Sequence, residues 1–190
     1  MVLQGIYLPT EPEECRRHTT EALDGASKFR SADDVVAYVE SLPDPDSLER
    51  EFDFEARLQS VQDDYLKLQE ELGNNILCLP TCNIARFTWY KDFGYESYLT
   101  AMALYPDAMK RLFRYSAEEP RLLNMVLVEL VKQGQLPPFL FTGQDICGNQ
   151  GLMVSPGILR SIFFPAVQRQ PFGGCIGWEV TRLGLEPRTY

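Results

Sequence analysis

The chain has 190 residues, of which 45% are hydrophobic and 24% charged, the composition of a folded domain. This apolar content is enough for a sizeable core, which excludes disorder along the whole chain. No run of about 18 apolar residues occurs, and the first six residues have neither a basic flank nor a long apolar stretch. We therefore expect a cytoplasmic protein without a membrane segment.

The net charge of −9 is unevenly distributed along the chain. Residues 1–72 carry 18 acidic and 7 basic side chains, net −11, whereas residues 73–190 carry 9 acidic and 11 basic side chains, net +2. Because phosphate contacts need a basic surface, nucleic acid is not an expected partner. The nearly neutral second part is where an anionic small molecule can approach without strong repulsion.

The metal-ligating side chains are few and scattered. A single histidine, His18, is present, and no two cysteines form a C-x-x-C pair. Cys78 and Cys82 are four residues apart, a spacing that does not bring them together at a strand end followed by a loop. We expect buried or incidental thiols and no metal site. The five cysteines are Cys15, Cys78, Cys82, Cys147 and Cys175.

The first predicted helix begins at Ser31, whose hydroxyl can cap free backbone N–H groups. Asp33 and Asp34 follow in the first turn, where acids favour the positive end of a helix. Pro43 ends this helix. Residues 42–46, Leu-Pro-Asp-Pro-Asp, predict a rigid surface connection rather than a helix.

The second predicted helix covers residues 53–72, with apolar side chains three and four residues apart and Gly73 closing it. Residues 75–79, Asn-Ile-Leu-Cys-Leu, then form a short apolar run that Pro80 ends. Such a run is long enough for one buried strand. A helix followed by a buried strand is the unit from which parallel sheets are built.

The second half of the chain repeats this alternation. Helices are predicted over residues 95–104, 106–115 and 118–133, and a last helix begins at Ser155-Pro156 and runs to about residue 167. Residues 139–142, Phe-Leu-Phe-Thr, predict the next buried strand, with Gly-Gln-Asp at 143–145 as its polar exit. We expect residues 76–79 and 139–142 to be parallel strands of one sheet, with the helices packed outside.

Helices alternating with single apolar strands indicate an α/β protein with a parallel sheet. Periodicity alone leaves a Rossmann-type sheet and a barrel open. Neither G-x-G-x-x-G nor G-x-x-x-x-G-K-[ST] occurs, so the usual phosphate-binding loops are not expected. The visible strands are too few for a closed eight-stranded barrel of about 250 residues.

Several short motifs follow one another along the chain. They are the helix entry FRSADD at 29–34, GYE at 94–96 with Leu99, YPD at 105–107, GQDICGNQGLMVSP at 143–156 and FFP at 163–165. This series resembles the uroporphyrinogen decarboxylase superfamily, whose members show a strand ending in an acid, a glycine-containing loop, a Ser-Pro helix start and a Phe-Pro soon after. They also show a Gly-x-Glu followed by a leucine and an x-Pro-Glu helix pair.

This resemblance spans about residues 29–169 and implies an incomplete (β/α)8 TIM barrel with a parallel sheet. Residues 1–28 are then an N-terminal segment without a matching motif. Residues 170–190 form a C-terminal tail that resembles no part of the family. In such barrels the functional residues lie at the carboxyl ends of the strands.

Three side chains are candidate site residues by this resemblance. Asp145 follows a predicted strand and is the candidate catalytic acid; the alternative is an acid that orders the loop by local hydrogen bonds. Tyr90 stands four residues before Gly94, like the family's substrate-contacting tyrosine, and the alternative is a packed aromatic. Arg86 can bind a substrate carboxylate in bidentate fashion, or it is a solvated surface arginine.

The resemblance implies a decarboxylase-like enzyme fragment that acts on a tetrapyrrole carboxylate in porphyrin biosynthesis without a cofactor. An alternative within the superfamily is a methyltransferase that depends on zinc or a corrinoid, and another is a catalytically inactive remnant. Two departures weaken the decarboxylase expectation. No N-terminal segment fits the family's pattern of paired arginines and a following strand-end aspartate, and Ile146 stands where the family typically has a serine. We expect the isolated chain to be catalytically inactive and its ligand to be a small molecule. Assembly into a homodimer is left open.

Overall fold

The computed structural model describes residues 27–74, 76–139, 142–143, 146–148 and 151–171. Most of segment 1–28 and of tail 170–190 therefore lies outside the described residues. The helices are α1 (Ala32–Ser41), α2 (Pro45–Glu51), α3 (Phe54–Leu72), α4 (Tyr90–Phe93), α5 (Tyr95–Leu104), α6 (Pro106–Lys132), α7 (Pro156–Ile158) and α8 (Phe164–Gln168). A π-helical stretch, Leu159–Phe163, joins α7 to α8. Two short strands, β1 (Cys147–Gly148) and β2 (Gly151–Leu152), pair antiparallel.

Helix α1 begins as the sequence predicts. The Ser31 hydroxyl accepts a hydrogen bond from the Asp34 amide at 3.2 Å, and the Asp34 carboxylate accepts one from the Ser31 amide at 3.0 Å. This reciprocal capping box satisfies backbone donors that a helix start otherwise leaves free. Val35 and Val39 lie fully buried on the face that α1 turns towards α5 and α6.

The connection after α1 is partly helical, which corrects the prediction of a rigid surface loop. Asp44 caps α2 by accepting a hydrogen bond from the Asp46 amide at 3.2 Å. Pro45 occupies the first helical position, where its missing N–H would have had no partner. A proline is poorly tolerated in the interior of a helix, but Pro45 is compatible with the start of α2.

Helix α3 has the predicted bounds, with Asp53 as its N-cap and Gly73 at a φ of 67° as its C-cap. Its apolar stripe is half-buried against α6, where Val126 and Leu130 are fully buried. None of the helices among the described residues combines the length and the apolar character needed to cross a membrane.

The predicted strand at 76–79 does not form, and Leu77 is 52% exposed. The Gln69 side chain supplies the backbone of this stretch with hydrogen-bond partners. Its Nε2 donates to the Ile76 carbonyl at 2.8 Å and its Oε1 accepts from the Cys78 amide at 2.9 Å. A side-chain amide of α3 thus takes the place that a neighbouring strand would have.

The second predicted strand, at 139–142, is also not found at the two of its residues that the structure describes, 139 and 142. Phe139 is not in a strand and is 65% exposed, while residues 140 and 141 lie outside the described residues. The paired strands that the described chain does contain, β1 and β2, are two residues long and antiparallel. The prediction of an incomplete (β/α)8 TIM barrel with a parallel sheet is therefore wrong, because the apolar helix faces pack against one another.

Helix α6 is one continuous helix of 27 residues where the sequence predicts two. Pro120 lies inside it and has no N–H to donate to the Ser116 carbonyl, the loss that normally ends a helix. Leu112, Leu122 and Val126 are buried on both sides of this proline. The continuous apolar face therefore outweighs the one missing hydrogen bond.

Rings from four parts of the chain meet at Phe87, which is fully buried. The centroid of Phe163 lies 5.3 Å from that of Phe87 at an interplanar angle of 76°, and the ring of Phe113 is stacked at 6.3 Å. The Tyr98 hydroxyl donates to the Phe87 carbonyl at 2.6 Å. This core fixes the backbone around residue 87, which carries the neighbouring candidate residues.

Candidate ligand-binding site

The segment around Arg86 alternates between core and surface. Ala85 and Phe87 are buried, whereas Arg86 and Trp89 are partly exposed. The short helix α4 follows at Tyr90 and turns the chain back over the core. Arg86 and Trp89 are therefore held on the outer side of a segment whose inner side is anchored by packing.

The Arg86 side chain contacts two residues that follow it closely in the sequence, Trp89 and Asp92. Its guanidinium forms an ion pair and hydrogen bond with the Asp92 carboxylate. Its Cζ also lies 4.5 Å from the centroid of the Trp89 ring, a cation–π geometry. Side-chain exposures of 41% for Arg86 and 48% for Asp92 leave this pair accessible to solvent.

Trp89 lies between two clefts. The first cleft, about 450 Å³, lies against α6, and Asn83, Arg86, Tyr115 and Ser116 line it together with Trp89. The second cleft, about 430 Å³, is next to α4, and its lining residues are Ser27, Lys28, Phe29, Tyr38, Trp89, Lys91, Asp92 and Phe93. Both volumes lie within the range of about 300–1,000 Å³ that is usual for small-molecule sites.

The rings that line the second cleft belong to one aromatic cluster, in which Phe93 is buried and Phe29 and Trp89 are partly exposed. Trp89 is stacked on Phe93 with centroids 5.4 Å apart, and Phe29 meets Phe93 edge-on at 4.7 Å. Lys28 Nζ lies 5.4 Å from the centroid of the Phe29 ring. This cleft places partly exposed aromatic area beside positive charge, an arrangement that suits an anionic ligand with an apolar body.

The charges around the two clefts differ from those of the whole chain. Among the described lining residues, Lys28, Arg86 and Lys91 are basic and Asp92 and Glu119 are acidic. This small positive excess contrasts with the net charge of −9 for the protein. The lining of the two clefts therefore repels an anion less than the net charge of the chain suggests.

One polar atom of Trp89 lacks a partner. Its indole Nε1–H is buried and finds no hydrogen-bond acceptor among the described residues. A buried donor without an acceptor costs about 1–3 kcal/mol, so an acceptor that reached this atom on rearrangement would remove that cost.

Tyr90, the second predicted substrate contact, lies in the core. It is buried and stacked on Tyr95 with ring centroids 4.3 Å apart and an angle of 18°. It does not line either of the two clefts. The structure therefore brings Arg86 to a cleft and places Tyr90 beneath it. The hydroxyl of the neighbouring Tyr98 has its pKa raised, first by burial and then by Tyr90.

The predicted catalytic residue, Asp145, lies outside the described residues. No group of three or more His, Cys, Asp or Glu side chains that could hold a metal ion is found in the described part of the chain. Burial raises the pKa of the Cys82 thiol, the reverse of what a metal-binding or nucleophilic thiolate needs. Cys15, Cys175 and His18 fall outside the described ranges.

Sequence reasoning missed Trp89, Asp92 and the two lysines. Trp89 and Asp92 lie three and six residues after Arg86, and the turn at residues 88–89 with the short helix α4 brings them to its guanidinium. The usable signal was the alternation of cationic and aromatic residues over positions 86–93, RFTWYKDF. Comparison of the chain with family models, with curated proteins and with solved structures found no match.

Proposed function

We propose that this protein binds a polycarboxylated tetrapyrrole, in keeping with its resemblance to the uroporphyrinogen decarboxylase superfamily. The observation that carries the proposal is the position of Arg86, which lines the first cleft and whose guanidinium lies over Trp89, a residue that lines both clefts. The proposal does not depend on a barrel, because the residues that carry it lie within positions 27–93 and on α6.

The chemistry of the clefts supports a ligand with a flat apolar body and several carboxylates. The partly exposed rings of Phe29 and Trp89 line the second cleft and offer apolar area to a pyrrole. Arg86 offers a planar donor fork that matches a carboxylate in bidentate fashion. Lys28 and Lys91 offer point charges for further carboxylates. Each cleft takes one carboxylated edge of the macrocycle.

Decarboxylation of such a ligand would need an acid that holds the pyrrole N–H groups and stabilises the developing positive charge. The resemblance gives this role to Asp145. Binding is the activity that we assign to Arg86 and Trp89. We further propose that the protein acts in the cytoplasm on a small molecule and not on nucleic acid, which the acidic charge of residues 1–72 supports.

Titration with uroporphyrin, the oxidised and fluorescent form of the porphyrinogen, tests the proposal. We expect saturable binding to the full chain, followed by porphyrin fluorescence anisotropy. In Arg86→Gln the Kd should rise roughly tenfold, as the loss of one charge-assisted hydrogen bond of about 1.5 kcal/mol gives.

Arg114→Gln is the matched control. Arg114 pairs with Asp46 at 2.7 Å, and its side-chain exposure of 45% is close to that of Arg86. Arg114 is not among the residues that line the two clefts. Equal Kd values for the two variants, or the absence of saturable binding by the wild-type chain, would refute the proposed function.

A further inference from the structure

We infer, on the basis of the function proposed above, that Asn124 and Tyr98 are positioning residues for the segment that binds the ligand. This segment, residues 83–89, carries Arg86 and Trp89. Asn124 and Tyr98 are buried, and each donates a hydrogen bond to a backbone carbonyl of the segment. Neither of them lines the two clefts as the described residues form them, so their effect on binding passes through the segment.

The segment depends on side-chain partners because it has no regular secondary structure. Residues 82–89 form neither helix nor strand. The carbonyl groups of such a stretch have no ladder of partners at fixed spacing, so side chains or water must supply them. Donors from two different helices therefore decide how closely the segment keeps a single position.

Asn124 holds the beginning of the segment from α6. Asn124 is 1% exposed, and its Nδ2 donates to the Asn83 carbonyl at 2.6 Å and to Oε1 of Gln170 at 2.7 Å. Gln170 is fixed in turn, since its Nε2 donates to the Ala117 carbonyl at 3.3 Å. The reverse orientation of the Asn124 amide would turn its oxygen towards two acceptors. Asn83 itself lines the first cleft, so Asn124 fixes the backbone of its wall.

Tyr98 holds the end of the segment from α5. Its hydroxyl donates at 2.6 Å to the Phe87 carbonyl, which also accepts the Trp89 amide at 2.8 Å. The second bond closes a tight three-residue turn, from which the Trp89 ring leaves the backbone. Burial raises the pKa of Tyr98, so its hydroxyl keeps the proton that it donates. Tyr98 thus fixes the turn that presents Trp89.

Arg86 lies between these two anchors. Ala85 before it and Phe87 after it are fully buried, and its guanidinium lies 4.5 Å from the centroid of the Trp89 ring. An arginine on a looser backbone is in the binding position for a smaller fraction of the time, and the apparent Kd rises in inverse proportion to that fraction. Loss of either anchor should therefore weaken binding although no ligand contact is removed.

Asn124→Leu and Tyr98→Phe test the inference, because each removes a donor with little change in volume. Uroporphyrin is titrated into each full-length variant and followed by fluorescence anisotropy. We expect each Kd to rise about threefold, as a binding geometry kept for about a third of the time gives. In the Arg86→Gln background Asn124→Leu should raise the Kd less than about 1.5-fold, because the side chain that it positions is gone.

Two controls separate positioning from stability. Tyr105→Phe removes a hydroxyl that bonds Asp33, and Met109→Ala removes a fully buried side chain of α6. Tyr105 and Met109 are not among the residues that line the two clefts. Both variants should keep the wild-type Kd, although the void left by Met109→Ala lowers the Tm. A Kd that rises with Met109→Ala as much as with the donor variants would overturn the inference.

The unliganded protein gives a second readout. In a Trp178→Phe background Trp89 is the single tryptophan, and its indole N–H resonance senses the guanidinium over the ring. Asn124→Leu and Tyr98→Phe should shift this resonance in the absence of any ligand. Met109→Ala should leave it in place.

The outcomes for the proposed function and for the inference are distinct. If wild type binds uroporphyrin but neither donor variant changes the Kd, the inference is overturned and the proposed function stands. The same holds if Asn124→Leu raises the Kd by an equal factor with and without Arg86. If wild type does not bind, the proposed function is overturned, and a Trp89 resonance that both donor variants leave in place overturns the inference as well.

A melting curve shows that each variant is folded. Tyr98→Phe, which loses a single oxygen atom, carries the test if Asn124→Leu is unfolded.

Discussion

Glu118 and Arg121 form an ion pair inside the protein. Oε1 of Glu118 accepts hydrogen bonds from Nε of Arg121 at 2.8 Å and from its Nη2 at 2.6 Å. Glu118 is 1% exposed and the Arg121 side chain 16%. Arg121 also lies 3.0 Å from Glu49, and Arg169 lies 3.6 Å from Oε2 of Glu118, so the pair links α6 to α2 and to the residue after α8.

Glu118→Gln should lower the free energy of unfolding by about 2–3 kcal/mol. The substitution keeps the volume but leaves the largely buried Arg121 guanidinium without its main counter-charge, and breaking a buried pair from one side is costly. The remaining contact with Glu49 limits the loss. Urea unfolding followed by circular dichroism measures it.

Glu129→Gln provides the control for this prediction. Glu129 lies on the same helix, 3.9 Å from Lys132, and both side chains are exposed. Exposed pairs contribute little, so we expect a change below about 0.5 kcal/mol. Equal losses for the two variants would show that the interior pair has no special weight in stability.

The capping box of α1 should make stability depend on pH through Asp34. Backbone hydrogen bonds from Arg30 and Ser31 hold the pKa of Asp34 below its ordinary value of 3.8. A carboxyl whose pKa is lowered by folding stabilises fully above its unfolded-state pKa and loses this effect as pH falls through the folded-state pKa. Asp34→Asn should therefore have a lower Tm than wild type at pH 7, and the difference should close below about pH 4.

Glu40→Gln near the other end of α1 is the comparison for this pH series. An acid near a helix C-terminus gains nothing from the helix dipole, so its neutralisation should not lower the Tm at pH 7. A Tm difference between wild type and Asp34→Asn that stayed constant from pH 7 to pH 3 would show that the charge of Asp34 is not involved.

The thiols should differ in reactivity in the order of their exposure. Burial raises the pKa of Cys82, so it holds less thiolate at pH 8 than an ordinary cysteine. Cys147 is exposed and Cys78 is half-buried. Iodoacetamide followed by peptide mass spectrometry should label Cys147 and Cys78 well before Cys82 in the folded chain, and all three at similar rates in urea. Early labelling of Cys82 in the folded chain would contradict its placement.

Helices α1, α3 and α5 could be predicted from the sequence because their determinants are local. Ser31 and Asp34 are three residues apart, and the stripe of α3 and its final Gly73 can be read directly from residue spacing. The short apolar run at 76–79 has no such determinant, because a strand exists only where a neighbour pairs with it. Here Gln69 takes that place. The prediction of an α/β fold with a parallel sheet was wrong for this reason.

The candidate site was predictable only in part. Arg86 was a candidate for binding a substrate carboxylate or a solvated surface arginine, and the structure gives it a carboxylate partner within the protein, Asp92, that the sequence did not suggest. The turn and the four-residue helix α4 that bring Arg86, Trp89 and Asp92 together are too short to show a periodic pattern in the sequence. Tyr90 was selected by its distance from Gly94, a spacing that cannot distinguish a cleft from the core below it.

The indole N–H resonance of Trp89 in a ¹⁵N correlation spectrum tests the central claim most directly. The chain has two tryptophans, so the Trp178→Phe variant leaves Trp89 as the single indole signal. We predict that saturating uroporphyrin shifts this resonance strongly, because the macrocycle packs on the ring and an acceptor reaches Nε1. At a uroporphyrin concentration equal to the wild-type Kd, Arg86→Gln should show only about a fifth of the wild-type shift, as a tenfold rise in Kd gives. A Trp89 resonance that stays in place while uroporphyrin binding saturates would contradict the assignment of these clefts as the binding site.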